Sequence, residues 1–310
     1  MKQEEATDPG IVFVWDLDET LIIFQSLLTG KYADLEGLDE KRRAEALKLG
    51  EQWEKLILDI SDTAMLFEQV EEFDQPSIGH VAENDDGASL DDFDFGELNL
   101  KKPLTDAGKQ KLAYLYRHIQ ALYAKGATHL LTGDKRGEWQ GLYAATDRFT
   151  KGWLFAGRRL LAECATARLN SSGQTDPNRT AGPGSDSAGE GGLPPLGKRT
   201  VVLVSSGQLI PTLTKCLLFR LDPWIDPANV YSSKVVGKLQ CFKWIRERFG
   251  GGNAETRFCA VGDGVEEQAA ARMMSWPFLR VASGLDPDMS LPKIRLEQLT
   301  DLLADVKSKT

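Results

Sequence analysis

Two aspartates, Asp16 and Asp18, follow directly on a run of β-branched and aromatic residues that extends from Ile11 to Trp15. A run of this kind predicts a buried strand. Side chains alternate along an extended chain, so aspartates two residues apart project from the same side. At the carboxyl end of a parallel strand, that side can face a ligand crevice. Two carboxylates held together there repel each other unless a proton or a cation joins them.

Mg²⁺ suits such a pair, because it takes oxygen ligands and is usually held by one or two carboxylates together with a substrate phosphate. The chemistry indicated is metal-assisted attack by an aspartate on a phosphate ester. Taken alone, Asp-x-Asp is more often two solvated acids in a turn. The preceding strand, the hydroxyl of Thr20 two residues further on and the motifs downstream favour the chemical interpretation.

Later strand ends supply further candidates. The predicted strand Thr200–Val204 runs into Ser205 and Ser206, where a hydroxyl could bind a phosphate oxygen or cap the helix that follows. Lys234 and Lys238 precede or begin another predicted helix. A lysine at a helix start lies at the unfavourable end of the helix dipole, which an anionic partner would explain, although most lysines are simply solvated.

The last candidate group follows the predicted strand Arg257–Val261. Asp263 lies between two glycines just after that strand, where its carboxylate can reach a metal from a neighbouring strand end. Glu267 lies four residues on, so it can share a face with Asp263 near the start of the helix that follows. We expect Glu267 to orient a metal-bound water or the lysine. Glu266 is interpreted as stabilising its own helix dipole.

Strands alternate with helices after residue 199, which implies a parallel sheet. We predict helices over 209–221, 238–249, 266–274 and 292–307, and a further strand over 278–281. The first strand has no sheet of its own in the sequence around it, so it should complete this C-terminal sheet.

Residues 25–168 have helical periodicity and few strand signals; Leu49, Trp53, Ile57 and Ile60 recur on one predicted buried face. The expected fold is α/β, with a parallel-sheet core and a large helical-bundle insertion after the first strand. The core would comprise residues 8–24 and 198–310 and the insertion residues 25–169. Residues 170–197 are almost all Ser, Gly, Pro and small polar residues, and predict a disordered linker.

Composition narrows the class of protein. The 310 residues carry a net charge of −9, which argues against direct nucleic-acid binding. Four cysteines without metal-ligand spacing predict free thiols in a reducing compartment. There is no apolar run long enough for a membrane span, and the polar start lacks the layout of a signal peptide. The expected location is the nucleus, the cytoplasm or both.

The order of these motifs resembles the haloacid dehalogenase superfamily: an Asp-x-Asp-x-Thr after a strand, a hydroxyl, a lysine, then Gly-Asp-Gly. The flanking sequence is more specific and resembles the catalytic domain of the Eyes absent family. That similarity lies in VWDLDETLIIFQSLLTGKYA, SSGQLIPTLTKCLLFRLD, VYSSKVVGKLQCFKWIRERFG and AVGDGVEEQAAARMMSWPFLRV. It extends to the helical region through YRHIQALY and KRGEWQGLYAATDRF, and covers nearly the whole chain except residues 170–197.

The resemblance implies a Mg²⁺-dependent protein-tyrosine phosphatase that acts through an aspartyl-phosphate. Asp16 would be the nucleophile and a metal ligand, and Asp18 the acid/base, which also binds the metal through its main-chain carbonyl. Asp263 would be a further metal ligand and Glu267 its supporting acid. Thr20 would steady the loop.

The phosphate would be held by Lys238, which matches the family lysine better than Lys234 does, and by Ser206. The family more often has TTTQ where this chain has SSGQ, so the role of Ser206 stays open against Ser205. Partners would be phosphotyrosine proteins and, by the resemblance alone, a transcription factor. The long activating segment that precedes this domain in many family members has no counterpart here before residue 10, so the resemblance bears on phosphatase chemistry more directly than on transcription.

Two rivals remain. A phosphatase of the same superfamily could act on small metabolites or phosphoserine, because a fold alone does not fix the substrate. A regulatory scaffold with a vestigial site is the other, although all the motif acids are present.

Overall fold

The computed structural model describes residues 10–165, 199–251, 256–284 and 287–307. The predicted linker over 170–197 lies outside this range. A five-stranded sheet forms the centre of the fold, in the order β3-β2-β1-β4-β5, with every neighbouring pair parallel. The strands are β1 Ile11–Trp15, β2 Arg199–Ser205, β3 Val230–Ser232, β4 Arg257–Gly262 and β5 Phe278–Arg280. The sheet confirms the predicted α/β class, and β1 does complete the C-terminal sheet, at its centre.

The helices fall into two groups. Between β1 and β2 lie α1 Gln25–Leu28, α2 Lys31–Leu35, α3 Glu40–Thr63, α4 Phe67–Val70, α5 Asp106–Lys125, α6 Ala127–Leu130, α7 Asp134–Phe149 and α8 Trp153–Cys164. After β2 come α9 Leu209–Leu218, α10 Lys238–Phe249, α11 Val265–Met273 and α12 Leu296–Lys307. The first group is the helical insertion. None of the described helices is long and apolar enough to cross a membrane.

Alternation along the strands divides the core between the two faces of the sheet. Phe13 and Trp15 of β1 pack with the insertion and with α9 in one large cluster. Val12 and Val14 face the other way and pack against α10 and α11. Both faces of β1 are therefore buried, which is why its sequence is apolar throughout rather than alternating. The insertion shares its hydrophobic core with the sheet and packs against one face of β1.

Some predicted boundaries were wrong for local reasons. Helix α9 ends at Leu218 instead of residue 221, because Arg220 has a left-handed φ of 59° and closes the helix. Helix α12 starts at Leu296 instead of residue 292, since Pro292 lies in a separate 3₁₀ turn and Ile294 is extended. Strand β3 was not predicted. It is three residues long and forms by pairing with β2 at the edge of the sheet.

The predicted buried face of α3 is confirmed, since Leu49, Trp53, Ile57 and Ile60 are all buried. Trp53, Trp139 and Trp153 are each at most 3% exposed, so they are core residues of the bundle rather than a binding surface. All four cysteines are buried free thiols.

Candidate active site

The parallel sheet brings the first and last acidic motifs to adjacent strand ends. Trp15 is in register with Val261, and Asp16 N donates to Val261 O at 2.9 Å. Asp16 and Asp263 therefore leave neighbouring strands at the same edge. Thr20 lies between them: its Oγ1 donates to Asp16 Oδ2 at 3.1 Å and lies 3.5 Å from Asp263 Oδ1. Thr20 is fully buried, so the hydroxyl has a fixed place in the loop.

The loop after β1 is a compact turn. Leu17 O accepts from the backbone N–H groups of both Leu21 and Ile22, which reverses the chain. Glu19 has a left-handed φ of 61°, and its Oε1 accepts from Phe24 N at 3.2 Å and Ser26 N at 3.0 Å. The side chain of Glu19 thus ties the loop to the start of α1.

Three carboxylates converge at this edge. Asp16, Asp263 and Glu267 each offer one oxygen, and these oxygens lie within 4.8 Å of one another. Asp16 and Glu267 are buried, and Glu267 Oε2 has no hydrogen-bond partner within the described structure. An unpartnered buried carboxylate oxygen is costly and invites a cation. This all-oxygen, acidic donor set fits Mg²⁺.

Electrostatics at this edge are dominated by burial. Burial raises the pKa of Asp16 to about 6, against the lowering effect of Lys238 and with further increases from Asp263 and Asp18. Burial likewise raises the pKa of Asp263. Within the described residues, three carboxylates face the one buried ammonium group of Lys238, and a divalent cation would balance the remaining negative charge.

Lys238 is the positive centre of the cluster. Its side chain is 2% exposed, and Nζ donates to Asp16 Oδ1 and to Glu267 Oε1. It is the first residue of α10, where the helix dipole opposes a cation. Glu266 offsets this, since its Oε1 accepts from Lys238 N at 3.2 Å. The first turn of α11 thus stabilises the start of α10. From the sequence, Glu266 was expected to stabilise only its own helix.

Lys234, the other candidate lysine, is exposed and lies outside the carboxylate cluster.

Glycines allow the acids to approach one another. A Cβ at Gly262 would lie 2.9 Å from Glu267 Cγ and 3.4 Å from Asp16 Cβ. A Cβ at Gly264 would clash with Glu267 Oε2. The Gly-Asp-Gly sequence is therefore required for Glu267 to fold back over the end of β4.

The two candidate serines differ in environment. Ser205 is buried at the end of β2, and its Oγ accepts from Gly207 N at 3.1 Å, as in a turn cap. Ser206 is exposed. Ser206 also has the strand parity of Val204, whose side chain lies on the α10 face together with Val14. Asp16 follows the same parity after Val14. Counted along their strands, Ser206 and Asp16 thus share a parity, and the choice of Ser206 over Ser205 as the phosphate-binding hydroxyl stays a prediction.

The side chain of Asp18 is placed differently from the other acids. Lys215 Nζ, from α9, donates to both Asp18 carboxylate oxygens at 2.8 Å, and the pair is partly buried. The carboxylate of Asp18 is thereby held at one side of the group formed by Asp16, Asp263 and Glu267. Sequence reasoning missed Lys215, which lies 197 residues further along the chain.

The all-parallel sheet with its surrounding helices defines an α/β protein, and its fold is consistent with the haloacid dehalogenase-like class. Curated relatives specify the family. The chain is 40% identical over 283 residues to Protein phosphatase EYA of Arabidopsis thaliana, covering 91% of this chain and 85% of the relative. It is 32% identical over 291 residues to human Protein phosphatase EYA1, covering 89% of this chain and 43% of that protein. Drosophila melanogaster Protein phosphatase eya is 30% identical over 302 residues, covering 91% and 35%. No family model matches.

The chain belongs to the Eyes absent family. The names of these relatives support a protein phosphatase. The chain spans most of the plant protein but half or less of the animal relatives that it matches.

Proposed function

We propose that this chain is a Mg²⁺-dependent protein-tyrosine phosphatase that forms an aspartyl-phosphate on Asp16. The observation that supports this most is the buried Lys238 ammonium, which joins Asp16 to Glu267 beside Asp263. A buried aspartate with one oxygen on a lysine and the other on Thr20 is oriented for attack rather than for solvation.

In the first step, a carboxylate oxygen of Asp16 attacks phosphorus and the bond from phosphorus to the tyrosine oxygen breaks. Asp18 gives a proton to the departing phenolate. Water then attacks phosphorus in the aspartyl-phosphate and loses a proton to Asp18, which releases inorganic phosphate and regenerates Asp16. To take part, Asp18 must exchange a Lys215 hydrogen bond for the reacting oxygen.

Lys238 and Ser206 supply positive charge and a hydrogen bond to the phosphoryl oxygens. Mg²⁺, held by Asp16, Asp263 and the main-chain carbonyl of Asp18, would neutralise charge that develops on those oxygens. Glu267 keeps Lys238 and the metal ligands in place. A bound cation and Lys238 would together supply the positive charge that this acidic protein needs in order to bind an anionic substrate.

The substrate and partner predictions stay predictions. We propose phosphotyrosine proteins of the nucleus or cytoplasm as substrates. A transcription-factor partner follows from the family resemblance alone.

The test is a substrate panel of phosphotyrosine peptides, phosphoserine peptides and sugar phosphates, assayed with Mg²⁺ and with EDTA. We expect phosphotyrosine peptides to have the highest kcat/KM, EDTA to abolish turnover, and Asp16→Asn to be inactive. Equal or faster turnover of sugar phosphates would refute the tyrosine assignment. Wild-type turnover that EDTA does not affect, together with an active Asp16→Asn variant, would refute the mechanism.

A further inference from the structure

A short segment of the helical insertion, residues 71–76, contacts the chain at the carboxyl ends of strands β2 and β3. The segment lies just after α4, begins with a 3₁₀ turn over Glu71–Phe73 and continues as an extended loop. Three of its residues accept hydrogen bonds from the C-terminal core. These bonds run from Gln208 Nε2 to Glu71 O at 3.1 Å, from Leu209 N to Asp74 Oδ1 at 3.0 Å, and from Ser232 N to Pro76 O at 2.7 Å. The donors all flank the loop Ser205–Gly207.

Asp74 supplies a helix cap that α9 lacks. The helix begins at Leu209, and the side chain of Gln208 at its N-cap position makes no capping bond. The first N–H groups of a helix have no partner within the helix. Asp74 accepts from one of them, and its negative charge matches the positive end of the helix dipole. An acid from the insertion therefore fixes where α9 starts, three residues after Ser206.

Ser232 holds the other side of the same loop. It pairs with Ser205 in the sheet, and its Oγ donates to Gly207 O at 2.8 Å. The same Oγ lies 3.4 Å from Asp74 Oδ2. The hydroxyl has one proton, and the shorter contact directs it to Gly207, so the Asp74 oxygen is the secondary acceptor. Asp74 thus contacts two of the groups that restrain the loop, the start of α9 and Ser232.

Ser206 is exposed, so the backbone of its loop decides where its hydroxyl lies. Asp74 is partly buried, and burial raises its pKa to about 6. Its carboxylate is therefore ionised at pH 7.5, and both oxygens can accept.

We propose that Asp74 is a positioning residue: from the insertion it fixes the loop Ser205–Gly207 and, through that loop, places the Ser206 hydroxyl at the phosphoryl site. The proposal rests on the role given to Ser206 in the proposed function. It also assigns the insertion a direct part in building the active site.

A double-mutant cycle tests this coupling. Asp74→Ala, Ser206→Ala and the double variant are compared by kcat/KM on a phosphotyrosine peptide with saturating Mg²⁺. We expect Asp74→Ala to lower kcat/KM by about 10-fold to 100-fold in the wild-type background, as misplacement of a binding group does. In the Ser206→Ala background it should cost less than about 2-fold, because coupled residues are not additive. Equal losses in both backgrounds, or an unaffected single variant, would overturn the proposal.

Amide hydrogen exchange gives a second measurement that does not depend on activity. Exchange in the peptide covering residues 203–210 should rise in Asp74→Ala and return towards wild type in Asp74→Asn, whose side-chain oxygen can still accept from Leu209 N. Unchanged exchange in Asp74→Ala would also overturn the proposal. A protein without turnover of any phosphotyrosine peptide would refute the proposed function alone, and exchange would still test the loop.

Asp39→Ala is the matched control. Asp39 is an exposed aspartate that caps α3 by accepting from Arg42 N at 2.8 Å. Its loss removes the same kind of helix cap, and we expect kcat/KM to stay within about 2-fold of wild type, since distant sites are independent. If a general loss of stability explained the Asp74 effect, Asp39→Ala would lower kcat/KM by a similar factor at a similar fall in Tm. A Ser206→Ala variant with wild-type kcat/KM would overturn the proposal too, because Asp74 would then have nothing to position.

Discussion

Replacing Lys238 by methionine tests the electrostatic core of the site. The substitution keeps most of the apolar stem and removes the ammonium group between Asp16 and Glu267. The Lys238 side chain is 2% exposed, so water cannot reach the carboxylates in place of the ammonium group without a local rearrangement. Three carboxylates with oxygens within 4.8 Å of one another would be left without their lysine.

The expected cost follows from this geometry. Removing one partner of a buried ion pair destabilises a protein by ~3–5 kcal/mol. At ~2–4 °C per kcal/mol, a loss of ~3 kcal/mol lowers Tm by ~6–12 °C. Mg²⁺ should recover part of this loss, because it brings positive charge back to the same acids. Losing one group that stabilises transition-state charge should lower kcat/KM by a factor of ~10²–10³.

The assay is thermal melting in EDTA and in Mg²⁺, together with kcat/KM on a phosphotyrosine peptide. Lys234→Met is the matched control, because Lys234 is an exposed lysine only four residues upstream. It should leave both Tm and kcat/KM close to wild type. The reasoning would be refuted if Lys238→Met melted like wild type in EDTA, or if the two variants lost activity equally.

Three further changes test neighbouring parts of the account. Gly262→Ala places a Cβ 2.9 Å from Glu267 Cγ, and we expect kcat/KM to fall by about 10-fold or more, with wild-type kinetics contradicting the close approach. Trp153→Phe leaves the buried carbonyl of Thr20 without the indole N–H that donates to it at 3.0 Å. Urea unfolding should show that the free energy of unfolding falls by ~1–3 kcal/mol, and an unchanged value would contradict the stabilising role of this hydrogen bond. Burial raises the pKa of Asp222 to about 6, above its value in the unfolded chain. The protonated Asp222 side chain therefore favours the folded state at low pH, and this stabilising effect is lost as the pH rises through 6. Asp222→Asn should therefore exceed wild type in stability at pH 8 by up to ~3 kcal/mol and lose that advantage near pH 4; an advantage that does not depend on pH would contradict the assignment.

Local sequence signals were sufficient for much of the fold. The apolar run before Asp16 and the one before Asp263 could be read as strands because each is continuous and ends in polar residues. The helix Lys238–Phe249 was predicted with the bounds that the structure has, since its amphipathic pattern ends at a glycine run. These strands were predicted to lie in one sheet because the first strand has no other strand near it in sequence with which it could pair.

Contacts made by tertiary structure left no such signal. Strand β3 is three residues long and is defined by its neighbours. Lys215 has the pattern of an ordinary exposed helix residue, yet it binds Asp18 across 197 positions. Asp74 lies in an acidic stretch, and nothing in that stretch distinguishes it from the solvated acids beside it. Only the fold shows which of these charges is buried against a partner.

Within the site, spacing predicted which residues could meet, but the sequence did not determine how they would meet. Asp263 and Glu267 were expected to share a helix face, and the structure places both beside Asp16. The bond from Lys238 N to Glu266 could not be predicted, because it depends on how α10 and α11 pack.

The most direct test of the central claim is to trap the covalent intermediate. Wild-type enzyme turning over a phosphotyrosine peptide with Mg²⁺ would be acid-quenched, reduced with borohydride and mapped by mass spectrometry. We expect reductive modification at Asp16 alone, absent without Mg²⁺ and absent in Asp16→Asn. Modification at Asp18 or Asp263, or continued turnover with no modified aspartate, would contradict it.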